Sequence, residues 1–197
     1  MTLKSITLVR HGTSAWSASG QHTSLTDIGL TAQGEQEAHA LRDILNLRHY
    51  DMVYSSTLRR AHDTARLAGF PDAQLDDDLC EWRYGQYEGK TTKEIQVINP
   101  HWSIFRSGAP GGETPDDVGQ RCDRLLAKWH HSGRTHILCF SHGHLLRALA
   151  TSWLGQDILL GNHLNLDAGS ISKLAFEHYE HALALWNYCP YSVVNEA

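Results

Sequence analysis

Three short apolar runs recur along this chain, and each is followed by a segment with helical spacing. Residues 5–10 (SITLVR), 51–55 (DMVYS) and 136–141 (HILCFS) are read as buried strands. Behind the first, Thr31 to about Leu47 reads as a helix. Thr31 caps it, Glu35 and Glu37 suit its positive end, and Ala38, Leu41 and Leu45 form an apolar stripe. A helix from about Leu58 to Leu67 follows the second strand. Gly143 opens a helix behind the third that runs to about Leu154, with Gly155 as its stop signal. Between the second and third units, Thr114-Pro115-Asp116-Asp117 is a strong helix start: a cap, a proline at the first position, then acids. Val118, Cys122, Leu125, Leu126 and Trp129 share one face of that helix, which ends at His130-His131-Ser132-Gly133. Segments 171–176 and 182–188 read as closing strands, with antiparallel pairing left open. Strands alternating with helices predict an α/β three-layer sandwich: a largely parallel central sheet flanked by helices.

The chain has 197 residues, 41% hydrophobic and 20% charged, which fits one domain over residues 1–197 and argues against disorder. No repeat or linker divides it; Ser107–Glu113 (SGAPGGE) is a Gly/Pro-rich stretch of active-site-loop length. The formal charge of −5 gives no bulk attraction to nucleic acid or acidic membrane, so an anionic substrate would need a local pocket of arginines. No apolar run is long enough to span a membrane, and the N-terminal segment lacks the pattern of a signal peptide. Cys80, Cys122, Cys139 and Cys189 lie far apart, without a C-x-x-C pair, and read as reduced core thiols of a cytoplasmic protein.

Two strand ends echo one another: Leu8-Val9-Arg10-His11-Gly12 and Cys139-Phe140-Ser141-His142-Gly143. Each sets a histidine just beyond the carboxyl end of a buried strand, where open α/β sheets bind ligands, with a glycine next to allow close approach. Two such histidines could face each other across one pocket. Ser55-Ser56-Thr57-Leu58-Arg59-Arg60-Ala61 follows the second strand and opens a helix, a setting suited to phosphate. Glu81-Trp82-Arg83-Tyr84-Gly85-Gln86-Tyr87-Glu88-Gly89 holds a candidate proton donor. A nucleophile, an oxyanion clamp and an acid suffice for metal-free phosphoryl transfer through a phosphohistidine.

LVRHGTSAW, SSTLRRAHDT, EWRYGQYEG, GGET and FSHGH occur in this order over roughly residues 5–155. With these motifs the chain resembles the histidine phosphatase (phosphoglycerate mutase-like) superfamily. EWRYGQYEGKT and FRSGAPGGET are similar to its acid phosphatase and sedoheptulose-bisphosphatase-like branch. The resemblance implies a phosphoglycerate mutase-like fold and a metal-independent phosphatase of small phosphomonoesters, such as sugar phosphates. It implies His11 as the nucleophile, Arg10 and Arg60 as clamps on the phosphoryl oxygens, and His142 completing the pocket. Glu81 would protonate the leaving alcohol and then activate water. Ser17, which stands where many relatives have asparagine, Thr23 and His144 would contact substrate. No metal and no cofactor is implied. The implied partner is a small phosphorylated metabolite, with no nucleic acid and no membrane; a homodimer is left open.

Blander readings stand beside these. Glu88 shares a segment with Glu81 and is its rival as the acid; Arg59 reads as a surface residue. Asp76-Asp77-Asp78 reads as a solvated turn, and His130-His131 as a surface pair at a helix C-terminus. Trp16, Trp82 and Trp102 read as packing residues, one of which could line the substrate mouth. Among functions, a mutase-type phosphotransferase is the nearest alternative. A zinc-dependent hydrolase using His11, His142, His144 and a glutamate is weaker, since two pocket arginines would repel a cation. A non-catalytic phospho-ligand binding module is the third.

Overall fold

The computed structural model describes residues 2–46 and 48–193. Ser5–Arg10 (β1) lies mid-sheet, parallel to His136–Ser141 (β4) on one side and antiparallel to Ile171–Glu177 (β5) on the other. With Met52–Ser55 (β2), Gln74–Leu75 (β3) and Glu180–Tyr188 (β6), the sheet has six strands in the order β3-β2-β4-β1-β5-β6. β3, β2, β4 and β1 are mutually parallel, while β5 and β6 close the sheet as an antiparallel hairpin. The sheet is therefore mixed but largely parallel.

The alternation of side chains along the central strands explains the layers. Ile6 and Leu8 of β1, with Ile137 and Cys139 of β4, enter one apolar cluster; Val9, Leu138 and Phe140 enter the other. Pro115–His131 (α6) and Gly143–Trp153 (α7) cover the first face with Cys122, Leu125, Trp129, Leu145 and Leu149. Ala32–Leu45 (α2) and Arg59–Leu67 (α3) cover the second with Leu41, Leu45 and Ala65. A strand buried on both faces reads as an unbroken apolar run, which is why β1 and β4 were legible.

Thr31 and Thr114 cap α2 and α6, and Pro115 opens α6. α2 ends at Leu45 with Asn46 as its cap; Leu47 lies outside the described residues. Leu58 and Leu154 stand as caps outside α3 and α7. Ala15–Ser19, Thr92–Ile98 and Ile104–Ser107 form three further short helices. Two sequence readings need correction. Asp76-Asp77-Asp78 is not merely solvated: Asp76 accepts from Lys128 at 2.8 Å and Asp78 from Arg124 at 3.0 Å, so the turn docks on α6. The 107–113 stretch does not reach the histidines; Glu113 N donates to the Arg83 carbonyl at 2.9 Å, and the stretch backs the segment that carries Glu81.

β1 and β4 are neighbours, but the chain leaves them toward opposite faces, β4 into α7 and β1 toward α2. The crevice of an open α/β sheet forms at such a switch point. At its floor two backbones touch. A Cβ on Gly12 would sit 2.3 Å from the Gly34 carbonyl oxygen, and one on Gly34 would sit 2.1 Å from that of Thr13. Only glycine at both positions lets the first turn of α2 pack against the loop after β1.

Candidate active site

His11 follows β1 directly, and its backbone prolongs the ladder: its N–H donates to the Ser141 carbonyl at 2.9 Å. The ring Nδ1 lies 2.7 Å from the Gly12 carbonyl oxygen. A carbonyl can only accept, so Nδ1 carries the proton and Nε2 presents a lone pair. The loop is held from two sides. Gly12 N donates to Thr64 Oγ1 of α3 at 3.1 Å, and the buried Glu37 carboxylate of α2 accepts from Thr13 N at 2.7 Å and Thr13 Oγ1 at 2.9 Å.

His142 caps α7, with its ring centroid 5.1 Å from that of His11. Burial first, then Arg60 and Arg10, pushes His11 well below the usual imidazole range. Burial and Arg60 do the same to His142. Both rings are neutral at physiological pH.

Arg60 is buried at the start of α3, where its Nη2 donates to the Thr23 carbonyl at 2.9 Å and its Nη1 to that of Thr26 at 3.3 Å. Arg10 donates through Nη1 to the Leu166 carbonyl, and Gly143 leaves room for its guanidinium: a Cβ there would lie 3.3 Å from Cζ. The Nε atoms of both arginines are buried without a protein partner.

Glu81 follows the tight turn Asp77–Leu79 and meets the first turn of α7. Its Oε1 accepts from Trp82 N and Leu145 N, each at 2.9 Å, and its Oε2 from His144 N at 3.1 Å. Two of these donors belong to the first turn of α7, whose N–H groups have no partner within the helix. Glu88 is occupied elsewhere: it accepts from Ser24 N at 2.8 Å, from Ser24 Oγ and from Thr26 N at 3.1 Å, so it holds the loop that Arg60 also grips.

A cavity of about 160 Å³ is lined by Arg10, His11 and Glu81 together with Ser17, Gln21, His22, Thr23, Tyr84, His144 and Arg147; Arg60 and His142 are buried and do not line it. It is smaller than the roughly 300–1,000 Å³ of drug-sized sites, which suits a small ligand. Ser17 lies in the wall while its hydroxyl closes a capping box with Ser14. Thr23 contributes wall and the carbonyl that Arg60 uses, its own hydroxyl donating to the Gln21 carbonyl at 3.1 Å. His144 Nδ1 lies 2.5 Å from Tyr84 Oη, and burial keeps that ring neutral as well. Arg59 points away from the cavity, toward Asp63. Trp82 and Trp102 are packed inside and Trp16 lies over Gly89; none of the three lines the cavity.

Sequence reasoning missed His22, Tyr84 and Arg147. His22 packs at a tilt against Tyr84 with centroids 4.7 Å apart, and burial lowers its pKa to about 4. Arg147 stands one helical turn beyond His144 on α7, a spacing that could have flagged it. Its Nε donates to the Gly161 carbonyl at 2.8 Å. Among the described residues, none of Arg10, Arg60 and Arg147 lies within ion-pair distance of a carboxylate. A guanidinium as buried as that of Arg60 is costly without a carboxylate, and with the half-buried Arg10 and Arg147 it makes the site complementary to an anion.

A neutral histidine with a bare Nε2, flanked by unpaired guanidiniums and a buried carboxylate on a doubly wound sheet, defines a phosphoryl-handling pocket. Residues 6–188 match the family described as the histidine phosphatase superfamily (branch 1), and the chain belongs to it. It is 36% identical over 181 residues to an acid phosphatase of Mycobacterium tuberculosis, covering 90% of this chain and 89% of that one. It is 32% identical to the sedoheptulose 1,7-bisphosphatase of Saccharomyces cerevisiae, covering 88% and 79%. A solved Mycobacterium tuberculosis open reading frame product superposes with a TM-score of 0.90 at 36% identity, covering 95% of this chain and 98% of that one. The chain is a phosphoric monoester hydrolase of this family. No helix among the described residues is long and apolar enough to cross a membrane.

Proposed function

We propose that this enzyme hydrolyses small phosphate monoesters, sugar phosphates or related metabolites, through a phosphohistidine on His11 and without a metal ion. The observation that carries the reading is the His11 Nδ1 contact with the Gly12 carbonyl at 2.7 Å, which leaves Nε2 as a neutral nucleophile. The phosphoryl dianion is held by Arg10, Arg60 and His142. His11 Nε2 attacks phosphorus in line, the ester P–O bond breaks, and Glu81 gives its proton to the departing alkoxide. Water then attacks the phosphohistidine, Glu81 takes the proton back, and inorganic phosphate leaves with His11 restored. Ser17, Thr23 and His144 contact the alcohol portion. Burial keeps His11 neutral, and the guanidinium charges that add to that effect also oppose a divalent cation between His11, His142 and His144.

Quenching turnover of a labelled substrate without acid tests this. The label is expected on His11, stable to alkali and lost in acid, and His11→Ala should remove both label and turnover. Label on serine or aspartate, or near-normal turnover by His11→Ala, would overturn the mechanism. Loss of activity in chelator with recovery on zinc would overturn its metal independence. Formation of an isomeric phosphate ester in place of free phosphate would favour the mutase reading.

A further inference from the structure

The two facing histidines are tied through opposite ring nitrogens. His11 is tied through Nδ1 to a carbonyl. His142 is tied through Nε2, which lies 2.8 Å from Ser56 Oγ, while its Nδ1 is buried without a protein partner. A neutral imidazole has one N–H, so the direction of the Ser56 bond decides whether the buried Nδ1 of His142 is a donor or an acceptor.

Ser56 itself has little freedom. It is fully buried just past β2, and its N–H donates to the Phe140 carbonyl at 2.9 Å, which joins it to the strand that delivers His142. One lone pair of its hydroxyl receives the Leu58 N–H at 3.2 Å. The hydroxyl proton then has two acceptors in reach: His142 Nε2 at 2.8 Å and Cys80 Sγ at 3.4 Å. Cys80 has its own outlet for a thiol proton in Thr57 Oγ1 at 3.2 Å, since Thr57 spends its hydroxyl proton on Asp77 Oδ1 at 2.8 Å. Thioether and thiol sulfur accept weakly, and an imidazole nitrogen accepts well. The proton goes to His142 Nε2.

We propose that Ser56 is a positioning residue that fixes His142 as the Nδ1–H tautomer, so that His11 offers the phosphoryl group a lone pair and His142 offers it a proton. The opposite tautomer would turn the buried Nδ1 lone pair toward the phosphoryl oxygens, acceptor against acceptor. Burial and the nearby Arg60 and Arg10 keep His142 neutral, so the ring cannot escape the choice by carrying both protons. The inference rests on the phosphohistidine reading for its catalytic meaning but not for the tautomer itself.

Nitrogen-15 NMR of the histidine rings at neutral pH, with His142→Gln used to assign the signals, reads the tautomer directly. Wild-type enzyme is expected to show His142 protonated at Nδ1, and Ser56→Ala to shift it toward the Nε2–H form. The same variant should lose about tenfold in kcat on p-nitrophenyl phosphate, the scale of one lost buried hydrogen bond. Ser56→Thr, which keeps the hydroxyl, should restore tautomer and most of the rate; if its methyl group prevents folding, the wild-type and Ser56→Ala spectra decide alone. An Nε2–H ring in the wild type overturns the proposal. So does a Ser56→Ala enzyme with an unchanged His142 spectrum, whatever its rate. If wild-type enzyme shows the expected tautomer but releases no phosphate from any ester, the functional reading has failed and the tautomer assignment stands.

Discussion

Glu113 and Arg121 form a two-pronged ion pair inside the protein, Nε to Oε1 at 3.0 Å and Nη2 to Oε2 at 2.8 Å, with both side chains nearly inaccessible. The pair brackets Glu81. Arg121 Nη1 donates to the carbonyls of Asp78 at 2.9 Å and Cys80 at 2.5 Å, and Glu113 Oε2 accepts from Arg83 N at 2.8 Å. The backbone is thus gripped on either side of the carboxylate. Glu113→Gln should leave Arg121 buried and unpaired and cost about 3–5 kcal/mol of unfolding free energy. Urea unfolding measures the loss. Any surviving activity should fall more on alkyl phosphates than on p-nitrophenyl phosphate, because a displaced Glu81 harms protonation of a poor leaving group.

Glu81 itself has a sharper signature. A sugar alkoxide needs a proton as its bond to phosphorus breaks, and p-nitrophenolate needs much less help. Glu81→Gln should therefore lose on the order of 10²-fold or more in single-turnover phosphorylation of His11 by a sugar phosphate, and clearly less with p-nitrophenyl phosphate. Equal losses on the two substrates would remove Glu81 from the acid's role. Glu88→Gln is expected to act differently, weakening the loop at Ser24 and Thr26 without separating the two substrates.

Three buried imidazoles and the half-buried His144 set the response to acid. Burial lowers the pKa of His11, His142 and His144 well below the ordinary 6.5, and that of His22 to about 4. Below pH 6.5 the unfolded chain takes up protons on these rings and the folded chain does not, so the unfolded state binds more and stability falls as pH falls. Above that value both states are neutral and the effect vanishes. Tm should hold level from pH 8 to about 6.5 and decline below it, and His22→Gln should flatten part of the decline above about pH 4. Calorimetry across that range checks it; a Tm that rises on acidification would contradict the assignment.

Arg147 lines the cavity with no carboxylate in ion-pair distance, beside His144 and away from the His11 loop. An ester with a second negative group should use it. Arg147→Gln should raise KM for such esters about tenfold, the worth of one charged hydrogen bond, and raise KM for p-nitrophenyl phosphate less. Equal KM changes would leave Arg147 a packing residue over Phe105.

What could be read in the sequence follows from where burial is symmetric. β1 and β4 are covered on both faces, so their composition alone marks them, and the residue just beyond each end is placed by topology. Thr92–Ile98 escaped notice because its Val97 and Ile98 are exposed and leave no apolar stripe, although Thr91 and Glu94 form a capping box. β3 is two residues long, below what any periodicity can signal. Of the candidate residues carried by local motifs, Arg10, His11, Glu81, Ser17, Thr23 and His144 line one cavity, while Arg60 and His142 are buried and do not. Those that depend on distant contacts, such as Ser56 on His142 or Arg121 on the Cys80 carbonyl, carry no local signature. The choice between Glu81 and Glu88 became physical only once the partners of Glu88 in the Ser24 loop were visible.

Gly12 and Gly34 leave each other no room for a side chain. One stands in the loop beside His11 and the other in the first turn of α2, and a side chain at either would push the two backbones apart. The segment between them carries Ser17, His22 and Thr23 into the cavity wall, so the fit of that wall depends on a contact that neither end makes alone. Residues 12–34 are thus pinned at both ends by two missing methyl groups rather than by the limits of any helix or strand.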